Sequence, residues 1–369
     1  MSRWAWAEVS AAAIQHNVRT LVELVTPSEV WAVVKANGYG HGSVLAARAA
    51  LDGGAAGLCV ALVQEGVHLR RAGLTAPILV LSEQPPELLA AAVHHELQVT
   101  VYSLEQVMRL ERLGAVDHPV HLKVDTGMHR VGATPREAVL LADAIGSTTA
   151  VRLEGVFTHL AVADEPTDPY TARQLDQFDE VVATMRRVGH RPRLVHAANS
   201  AAAMSNPRAR YDMVRTGISI YGLSAGHGVD DVQRVMRLRP ALSLHARVSH
   251  VQRLAAGERI SYGLRHEFAT ATTVATLPIG YADGVPRRLH ACGGAVLIGA
   301  RRRPIVGVVT MDQLMVDCGN DDVRVGDDAV LIGTQGPHRV TATDWADRLG
   351  TIDYEVVCGI SSRIERRQP

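Results

Sequence analysis

Only two lysines, Lys35 and Lys123, occur in this chain of 369 residues, in which lysine and arginine together number 38. Arginine keeps its proton near neutral pH, whereas lysine can lose one and become a nucleophilic amine. A neutral lysine amine is what Schiff-base formation with a carbonyl compound requires. A coding bias toward arginine explains the composition. The two lysines that remain are therefore candidates for positions where an uncharged amine is needed.

The first two-thirds of the chain alternate short apolar segments with longer amphipathic stretches, a pattern typical of parallel βαβ units. We predict strands at residues 30–35, 56–60, 77–81, 97–101, 119–124, 151–157, 193–197 and 211–216. Helices are predicted between them, at residues 42–51, 62–72, 86–95, 103–113, 135–146 and 170–188. Eight such strands indicate an α/β fold of the (β/α)8 TIM-barrel type, with a doubly wound open sheet as the alternative.

The pattern changes after residue 235, where short β-rich segments are separated by Gly and Asp turns. We predict strands at residues 241–253, 271–279, 295–298, 305–309, 314–317 and 329–332. One helix is expected near 341–349, with Thr341 or Thr343 as its N-cap. The chain is therefore predicted to contain a barrel over residues 1–235 and a mainly β domain over residues 236–369.

Polar residues concentrate where the barrel strands are predicted to end, which is the rim that carries the active site in such barrels. The two lysines end the first and fifth strands. The later strands are followed by His159, by Asn199 and Ser200, and by Arg215. Lysines placed at random on the surface would lie on the outer helices at least as often, so this placement favours a chemical role.

The loops after the seventh and eighth strands are where barrels of this type often bind phosphate. These loops offer Ser200 and the backbone around Gly217 and Ile218, where small residues let main-chain N–H groups approach an anion. A phosphate site beside a rim lysine indicates pyridoxal 5′-phosphate (PLP), because the aldehyde of PLP reacts with a lysine amine.

Composition excludes several other classes of protein. The formal net charge is zero, so nucleic acid is not an expected partner. No run of eighteen apolar residues predicts a membrane span, and the N-terminus lacks the pattern of a signal peptide. The cysteines form no CxxC pair, so we expect no metal site and reduced thiols in a cytoplasmic protein. They are Cys59, Cys292, Cys318 and Cys358.

Several motifs, in this order, resemble those of the alanine racemases, PLP enzymes built from a barrel and a β domain. The barrel motifs are Ala-Val-Val-Lys-Ala-Asn-Gly-Tyr-Gly-His-Gly (32–42), Lys-Val-Asp-Thr-Gly-Met-His-Arg-Val-Gly (123–132), His-Ala-Ala-Asn-Ser (196–200) and Arg-Thr-Gly-Ile-Ser-Ile-Tyr-Gly (215–222). Later motifs are Ile-Ser-Tyr-Gly (260–263), Gly-Tyr-Ala-Asp-Gly (280–284), Met-Asp-Gln (311–313) and Tyr-Glu-Val (354–356). The resemblance runs essentially from end to end.

The resemblance implies a two-base racemisation of alanine. Lys35 would bind PLP as a Schiff base and act as one base, and Tyr262 would be the other. Tyr262 would reach from the β domain into the partner subunit's active site, which implies a homodimer with shared sites. The implied role is to supply D-alanine for peptidoglycan synthesis in the cytoplasm.

The resemblance also assigns contacts to the remaining residues. Arg215 would face the pyridine nitrogen and His159 would sit between Tyr262 and Arg215. The implied cofactor contacts are Lys35, Tyr39, His159, Asn199, Ser200, Arg215, Gly217, Ile218 and Tyr354. Substrate carboxylate contacts would come from Arg130 and the Met311 backbone, and the entrance would be narrowed by Tyr281 and Tyr354.

Two further positions carry implications, one in a motif and one in the segment before Met311. Lys123 corresponds to a lysine that is carbamylated in many members of the family. Val308 stands where many members have an arginine, so one charge is missing from the expected entrance.

Three alternatives remain at this point. One is a racemase of another or broader range of amino acids, such as serine or lysine. The second is a barrel-fold PLP decarboxylase, which would place an acidic residue at the pyridine nitrogen and a cysteine as proton donor, whereas this chain has Arg215 and Tyr262. The third is a non-catalytic PLP-binding protein, which would lack the β domain.

Overall fold

The structure is a computed structural model that describes residues 3–369. These residues form two compact units. One unit contains residues 12–239, and the other contains residues 3–11 together with residues 240–369.

The unit of residues 12–239 is an eight-stranded parallel barrel, so the predicted fold class is confirmed. After a first strand β1 (Ala5–Val9) that belongs to the other unit, its strands follow in chain order as β2 to β9. They are Glu29–Val33, Gly57–Val60, Ile78–Val80, Gln98–Val101, His118–Lys123, Val151–Phe157, Leu194–His196 and Met213–Thr216. The ladder runs from β8 through β2 to β9. Hydrogen bonds from Asp212 N to Val195 O and from Arg215 N to Ala198 O bridge the seam between β8 and β9.

Ten helical segments accompany the barrel, α1 to α10. They are Ala11–Val25, Lys35–Tyr39, Ser43–Asp52, Val63–Arg71, Pro86–His94, Leu104–Arg112, Pro135–Gly146, Tyr170–Arg187, Ser200–Ser205 and Asp230–Val235. Local residues explain where they begin: Ser103 caps α6, and Thr134 caps α7 by accepting a hydrogen bond from Glu137 N. The short α9 was not predicted, because six residues carry too little apolar periodicity.

Two large side chains inside the barrel lie opposite glycines on the neighbouring strand. Trp31 is in register with Gly57, where an added Cβ would lie 2.6 Å from the indole ring. His121 is in register with Gly155, where a Cβ would collide with the imidazole. A missing side chain on one strand therefore makes room for a bulky one on the next, which is how the interior fills without voids.

The second unit is mainly β, with one large sheet that is antiparallel except for the pairing of β1 with β20, and a small hairpin. Its strands β10 to β20 are Leu242–Arg247, His250–Leu254, Arg259–Ile260, His266–Glu267, Thr272–Leu277, Ala295–Ile298, Arg301–Val306, Leu314–Asp317, Asp328–Gln335, His338–Val340 and Glu365–Arg367. Its helices are α11 (Ala342–Leu349), capped by Thr341, and α12 (Asp353–Cys358).

This unit differs from the sequence expectation in four respects. The single strand expected at 241–253 is two strands, β10 and β11, broken at residues 248–249. The strand expected at 305–309 is β16, which ends at Val306 because Gly307 turns the chain with a φ of +66°. The N-terminal strand β1 pairs with β10 and β20 here, although the barrel was expected to begin at residue 1. The units divide between residues 239 and 240, against an expected boundary after 235.

Candidate active site

Lys35 lies just past β2, at the carboxyl end of the first barrel strand, and is half-buried. The four residues that follow it, 36–39, have φ values between 51° and 62° and so form a turn of left-handed helix. Such a conformation costs roughly 1–2 kcal/mol for each L-residue with a side chain. Strain of this kind persists only where the surrounding structure over-determines it, and it clusters at functional sites.

Specific contacts hold this left-handed turn in place. Ala36 N donates to Glu65 Oε1 at 2.7 Å, and Asn37 Oδ1 accepts from Ser43 N at 3.0 Å. A Cβ on Gly38 would lie 3.1 Å from Ala46 Cβ, so this position has no room for a larger residue without adjustment. The turn that follows Lys35 is therefore fixed on both sides, and the lysine leaves the rim from a rigid backbone.

The residues predicted to bind phosphate lie together on the rim. Tyr39 packs against Tyr221 with ring centroids 5.2 Å apart, and a Cβ on Gly217 would lie 2.5 Å from the Tyr39 hydroxyl. Gly217 N donates to Ser200 Oγ at 2.9 Å, and Ile218 begins the buried turn that follows. Glycine at 217 is thus what lets the Tyr39 hydroxyl and the Ser200 hydroxyl approach the same stretch of backbone.

Asn199 has a structural task in this region. Its Oδ1 accepts a hydrogen bond from Ala202 N at 3.0 Å and so caps α9. That contact orients the segment that begins with Ser200. The cofactor contact expected for Asn199 stays a prediction.

Arg215 is buried in the barrel, and all four of its hydrogen-bond acceptors are uncharged. Its Nη1 donates to His196 Nδ1 at 2.7 Å. Its Nη2 contacts Thr158 O at 2.9 Å, Ala197 O at 3.0 Å and His159 Nδ1 at 3.3 Å. Burial lowers the pKa of Arg215 to about 10, so the guanidinium remains protonated at neutral pH.

The protonated guanidinium fixes a chain of hydrogen bonds into the barrel interior. Because arginine only donates, His196 must accept at Nδ1 and carry its proton on Nε2. That proton points to His121 Nδ1 at 2.9 Å, and His121 Nε2 then donates to Gln98 Oε1 at 2.7 Å. Burial, aided by nearby arginines, lowers the pKa of His121 to about 3 and that of His196 well below its ordinary value. Both imidazoles are therefore neutral, with assigned tautomers.

The sequence did not reveal this relay of Arg215, His196, His121 and Gln98. Both histidines of this relay are fully buried. One signal was available: His121 precedes Lys123 by two residues on a strand, so both side chains face the same side of the sheet.

Four cationic side chains converge on the rim. Burial and then Arg215, Arg130, Lys123 and Lys35 lower the pKa of His159 well below its ordinary value. Burial and the neighbouring arginines also lower the pKa of Lys123 to about 8, and its Nζ lies 5.5 Å from the centre of the Phe157 ring. The sequence-predicted residues Lys35, Lys123, Arg130, His159 and Arg215 are thus brought together in one electropositive region.

Arg130 is exposed and lies in the loop after β6. Asp125 shapes this loop, because its Oδ1 accepts from Gly127 N and from His129 N, both at 3.0 Å. Tyr170 Oη donates to Gly127 O at 2.9 Å and ties the loop to α8. The loop that carries Arg130 is therefore held by both side-chain and backbone contacts.

The remaining candidates lie in the β unit. Tyr262 sits at the tip of the β12–β13 hairpin and is 71% exposed. Tyr281 and Met311 are neighbours, since Tyr281 N donates to Thr310 O at 2.9 Å and Ala282 N donates to Met311 O at 3.0 Å. The half-buried Tyr354 lies in the first turn of α12. The Val308 side chain is buried within this unit.

A buried ion-pair network fixes the segment that carries Tyr281, and the sequence did not reveal it. Asp283 is fully buried and receives Arg3 through two hydrogen bonds of 2.5 and 2.6 Å. Its second oxygen also accepts from Gly280 N at 2.9 Å. Arg363 lies 3.4 Å from Asp283 and pairs with Asp312 at 2.6 Å. Residues from both ends of the chain therefore hold the Tyr281 turn.

Within residues 3–369, no group of three His, Cys, Asp or Glu side chains is arranged to hold a metal ion. In the same residues, no helix combines the length and apolar character needed to cross a bilayer.

Together, the barrel, its lysine-bearing cationic rim and the β-rich unit define a two-domain (β/α)8-barrel enzyme. Two family models match the chain, "Alanine racemase, N-terminal domain" over residues 9–225 and "Alanine racemase, C-terminal domain" over residues 241–368. The chain belongs to the alanine racemase family, whose members are isomerases. The general function of the family is to provide D-alanine for peptidoglycan.

Individual relatives agree over their full length. The chain is 49% identical to the alanine racemase of Symbiobacterium thermophilum, covering 99% of this chain and 97% of the relative. Among solved structures, the alanine racemase of Streptomyces lavendulae superposes with a TM-score of 0.93 at 36% identity, covering 100% and 98% of the two chains. The Bacillus anthracis alanine racemase with bound L-Ala-P gives a TM-score of 0.92 at 39% identity, covering 99% and 95%.

The neutral state of His121 predicts a pH dependence of stability. In the unfolded chain His121 binds a proton below about pH 6.5. In the folded chain its pKa is about 3, so it stays neutral until the pH falls near that value. Stability should therefore be lost as the pH falls through this window, by up to about 1.4 kcal/mol per pH unit for this group. In urea unfolding, the free energy of unfolding of His121→Asn should fall less steeply with decreasing pH than that of the unchanged chain.

The exposed His250 provides the matched control, because His250→Asn makes the same substitution at a position outside the buried relay. Equal slopes for the unchanged chain and His121→Asn would contradict a neutral, buried His121.

Proposed function

We propose that this chain interconverts L- and D-alanine with PLP as its cofactor, using Lys35 and Tyr262 as the two bases. The observation that carries the proposal is the placement of Lys35 at the end of β2, which pairs with the strand of the buried Arg215, on the same rim as the Tyr39–Ser200–Gly217 cluster. PLP dependence is characteristic of the family. The relative from Bacillus anthracis with bound L-Ala-P supports an alanine-like substrate.

The rim residues fit a phosphate-bearing cofactor. The hydroxyls of Tyr39 and Ser200 both lie against the backbone at Gly217, where two hydroxyl groups could bind an anion together. We assign phosphate contacts to these residues and to Ile218, with Tyr354 and Asn199 as further contacts. Arg215 and Arg130, whose charges both act on His159, suit a ligand that brings a phosphate and a carboxylate.

When bound, PLP would draw electron density from the α-carbon of the amino acid and make its α-proton acidic. Racemisation needs a base on one face of that carbon and an acid on the other. Lys35 Nζ would serve one face and Tyr262 Oη the other. Since each direction of reaction leaves the pair with exchanged protonation states, the two must recover before the next turnover in the same direction.

Arg215 and His159 would tune this chemistry. Arg215 can donate a hydrogen bond to the pyridine nitrogen but offers no negative charge to hold a proton there. Because His159 accepts from Arg215 at Nδ1, its proton lies on Nε2, where it can donate to the Tyr262 hydroxyl of the other subunit. Such a donor would favour the ionised tyrosine and so help it act as a base.

Substrate contacts complete the proposal. Arg130 and the Met311 backbone would bind the substrate carboxylate, and Tyr281 and Tyr354 would restrict the entrance. The exposed position of Tyr262 at a hairpin tip supports its use by a second subunit, and hence a homodimer with shared sites. A cytoplasmic location agrees with the supply of D-alanine for peptidoglycan.

Lys123 is proposed to be carbamylated. Only a neutral amine adds carbon dioxide, and a pKa of about 8 gives Lys123 a substantial neutral fraction at mildly alkaline pH. The product would be an anion that attracts Arg130, whose charge influences Lys123.

The first prediction from the proposed function concerns Lys35, the lysine assigned to the cofactor. Borohydride reduction should attach PLP to Lys35 in the unchanged chain, and Lys35→Ala should lose this label. Peptide mass spectrometry locates the label, with Lys123→Ala as the control that keeps it. Label found on another residue would contradict the assignment.

The second prediction concerns the shared site. Lys35→Ala and Tyr262→Phe homodimers should each be inactive, because each lacks one base in every site. A mixture that exchanges subunits should regain activity, since one site of each heterodimer then has both bases. Heterodimers verified by differential tags that show no activity would count against sharing.

The third prediction concerns Lys123. With carbon-13 bicarbonate, NMR should detect a carbamate carbon that grows as the pH is raised through about 8. Lys123→Arg should remove this resonance, because arginine offers no neutral amine. A spectrum that Lys123→Arg leaves unaltered would show that this lysine is not modified.

A further inference from the structure

Tyr262 projects from a hairpin whose base is firmly anchored in the β unit. Strands β12 and β13 pair Arg259 with Glu267 and Ile260 with His266. Arg259 and Glu267 also form an ion pair of 2.7 Å. Ile260 packs in a buried cluster with Phe268, Val274 and Val306. The base of the hairpin is therefore rigid, and any freedom of Tyr262 must arise in residues 261–265.

The backbone just before Tyr262 adopts a conformation that side chains disfavour. Ser261 has φ 67° and ψ −179°, a region occupied almost only by glycine. Gly263 and Leu264 also have positive φ, and Leu264 N donates to Ser261 O at 3.0 Å. A serine held there sets the direction in which the next residue leaves the hairpin, and that residue is Tyr262.

Two contacts hold Ser261 in this conformation. Its Oγ donates to Val308 O at 2.9 Å. Its Cβ lies where Gly307 has no side chain, since a Cβ on Gly307 would be 2.5 Å from it. The segment 307–311 therefore acts as a backbone surface against which Ser261 is clamped, and Gly307 is required for the close approach.

The same segment also carries the other candidate residues of this unit. Tyr281 N and Ala282 N donate to the carbonyl oxygens of Thr310 and Met311. The contacts of Ser261 with Gly307 and Val308 thus fix the position of Tyr262 relative to the segment that carries Met311 and to the Tyr281 turn. A displacement of Ser261 would move Tyr262 relative to these residues without touching the substrate.

We propose that Ser261 is a positioning residue: its strained backbone, its hydrogen bond to Val308 and its contact with Gly307 aim Tyr262 for proton transfer. This inference rests on the proposed role of Tyr262 as a base. Misplacement of a reacting group by about 1 Å can cost on the order of 10²-fold in rate. The effect should fall on kcat rather than on KM for alanine, because Ser261, Gly307 and Val308, the residues in direct contact, are not assigned to substrate binding.

The test uses four variants of the full-length holoenzyme: Ser261→Ala, Ser261→Gly, Gly307→Ala and the double variant Ser261→Gly/Gly307→Ala. Each single variant should lower kcat by about 10- to 10²-fold. The double variant should be faster than Gly307→Ala alone, because Ser261→Gly removes the carbon that the new Cβ would strike. Ser249→Ala is the matched control, since it loses a similar hydrogen bond to Thr276 O elsewhere in the unit.

Isotope effects separate positioning from general damage. With α-deuterated alanine of each hand, one enantiomer gives its deuteron to Tyr262 and the other to Lys35. In the Ser261 variants the isotope effect should rise for the enantiomer deprotonated by Tyr262 and should not rise for the other. A purely structural defect would not distinguish the two hands.

Equal isotope effects for both hands in Ser261→Gly, which relieves the strain and so keeps the fold, would overturn the inference. So would a double variant no faster than Gly307→Ala. If Tyr262 is not a base, a separate result shows it, because Tyr262→Phe would then retain the rate and isotope effects of the unchanged chain.

Discussion

Much of the barrel interior follows from the burial of one guanidinium among uncharged acceptors. Loss of the acceptors of Arg215 would be strongly destabilising, because it would leave an unpaired charged group in the interior. Two carbonyls and two imidazole nitrogens satisfy it. That choice requires neutral histidines, and it extends the hydrogen bonds through His196 and His121 to Gln98. Even a backbone position is involved, since only glycine at 155 leaves room for His121.

The same constraint determines the chemistry available at the rim. A carboxylate beside Arg215 would neutralise it, whereas neutral histidines leave its charge to act on the surroundings. That charge contributes to the lowered pKa values of His159 and Lys123. The rim is therefore suited to anionic ligands and to amines that can be uncharged. The left-handed turn after Lys35 contributes a further property, because it carries the lysine on a backbone that its neighbours hold in place.

Sequence patterns were sufficient for the barrel and for the rim, but not for contacts between distant residues. Each predicted barrel strand overlaps an observed one, because alternation of apolar strands and amphipathic helices is a local property. The pairing of β1 with β10 joins residues far apart in the chain, and no local pattern encodes it. The Arg3–Asp283 ion pair and the strain at Ser261 were invisible for the same reason. The family motifs identified Tyr262 as a candidate base, but they did not reveal the contacts of Ser261, the residue before it.

We propose that Arg215, which is supported only by neutral groups, faces the cofactor as a hydrogen-bond donor. Nitrogen-15 NMR of the enzyme loaded with PLP labelled at the ring nitrogen tests it most directly, with free PLP at low and high pH as references. A nitrogen that is hydrogen-bonded but unprotonated across the pH range in which the enzyme is folded is the expected result. A protonated pyridinium at neutral pH would contradict both the role of Arg215 and the neutral relay behind it.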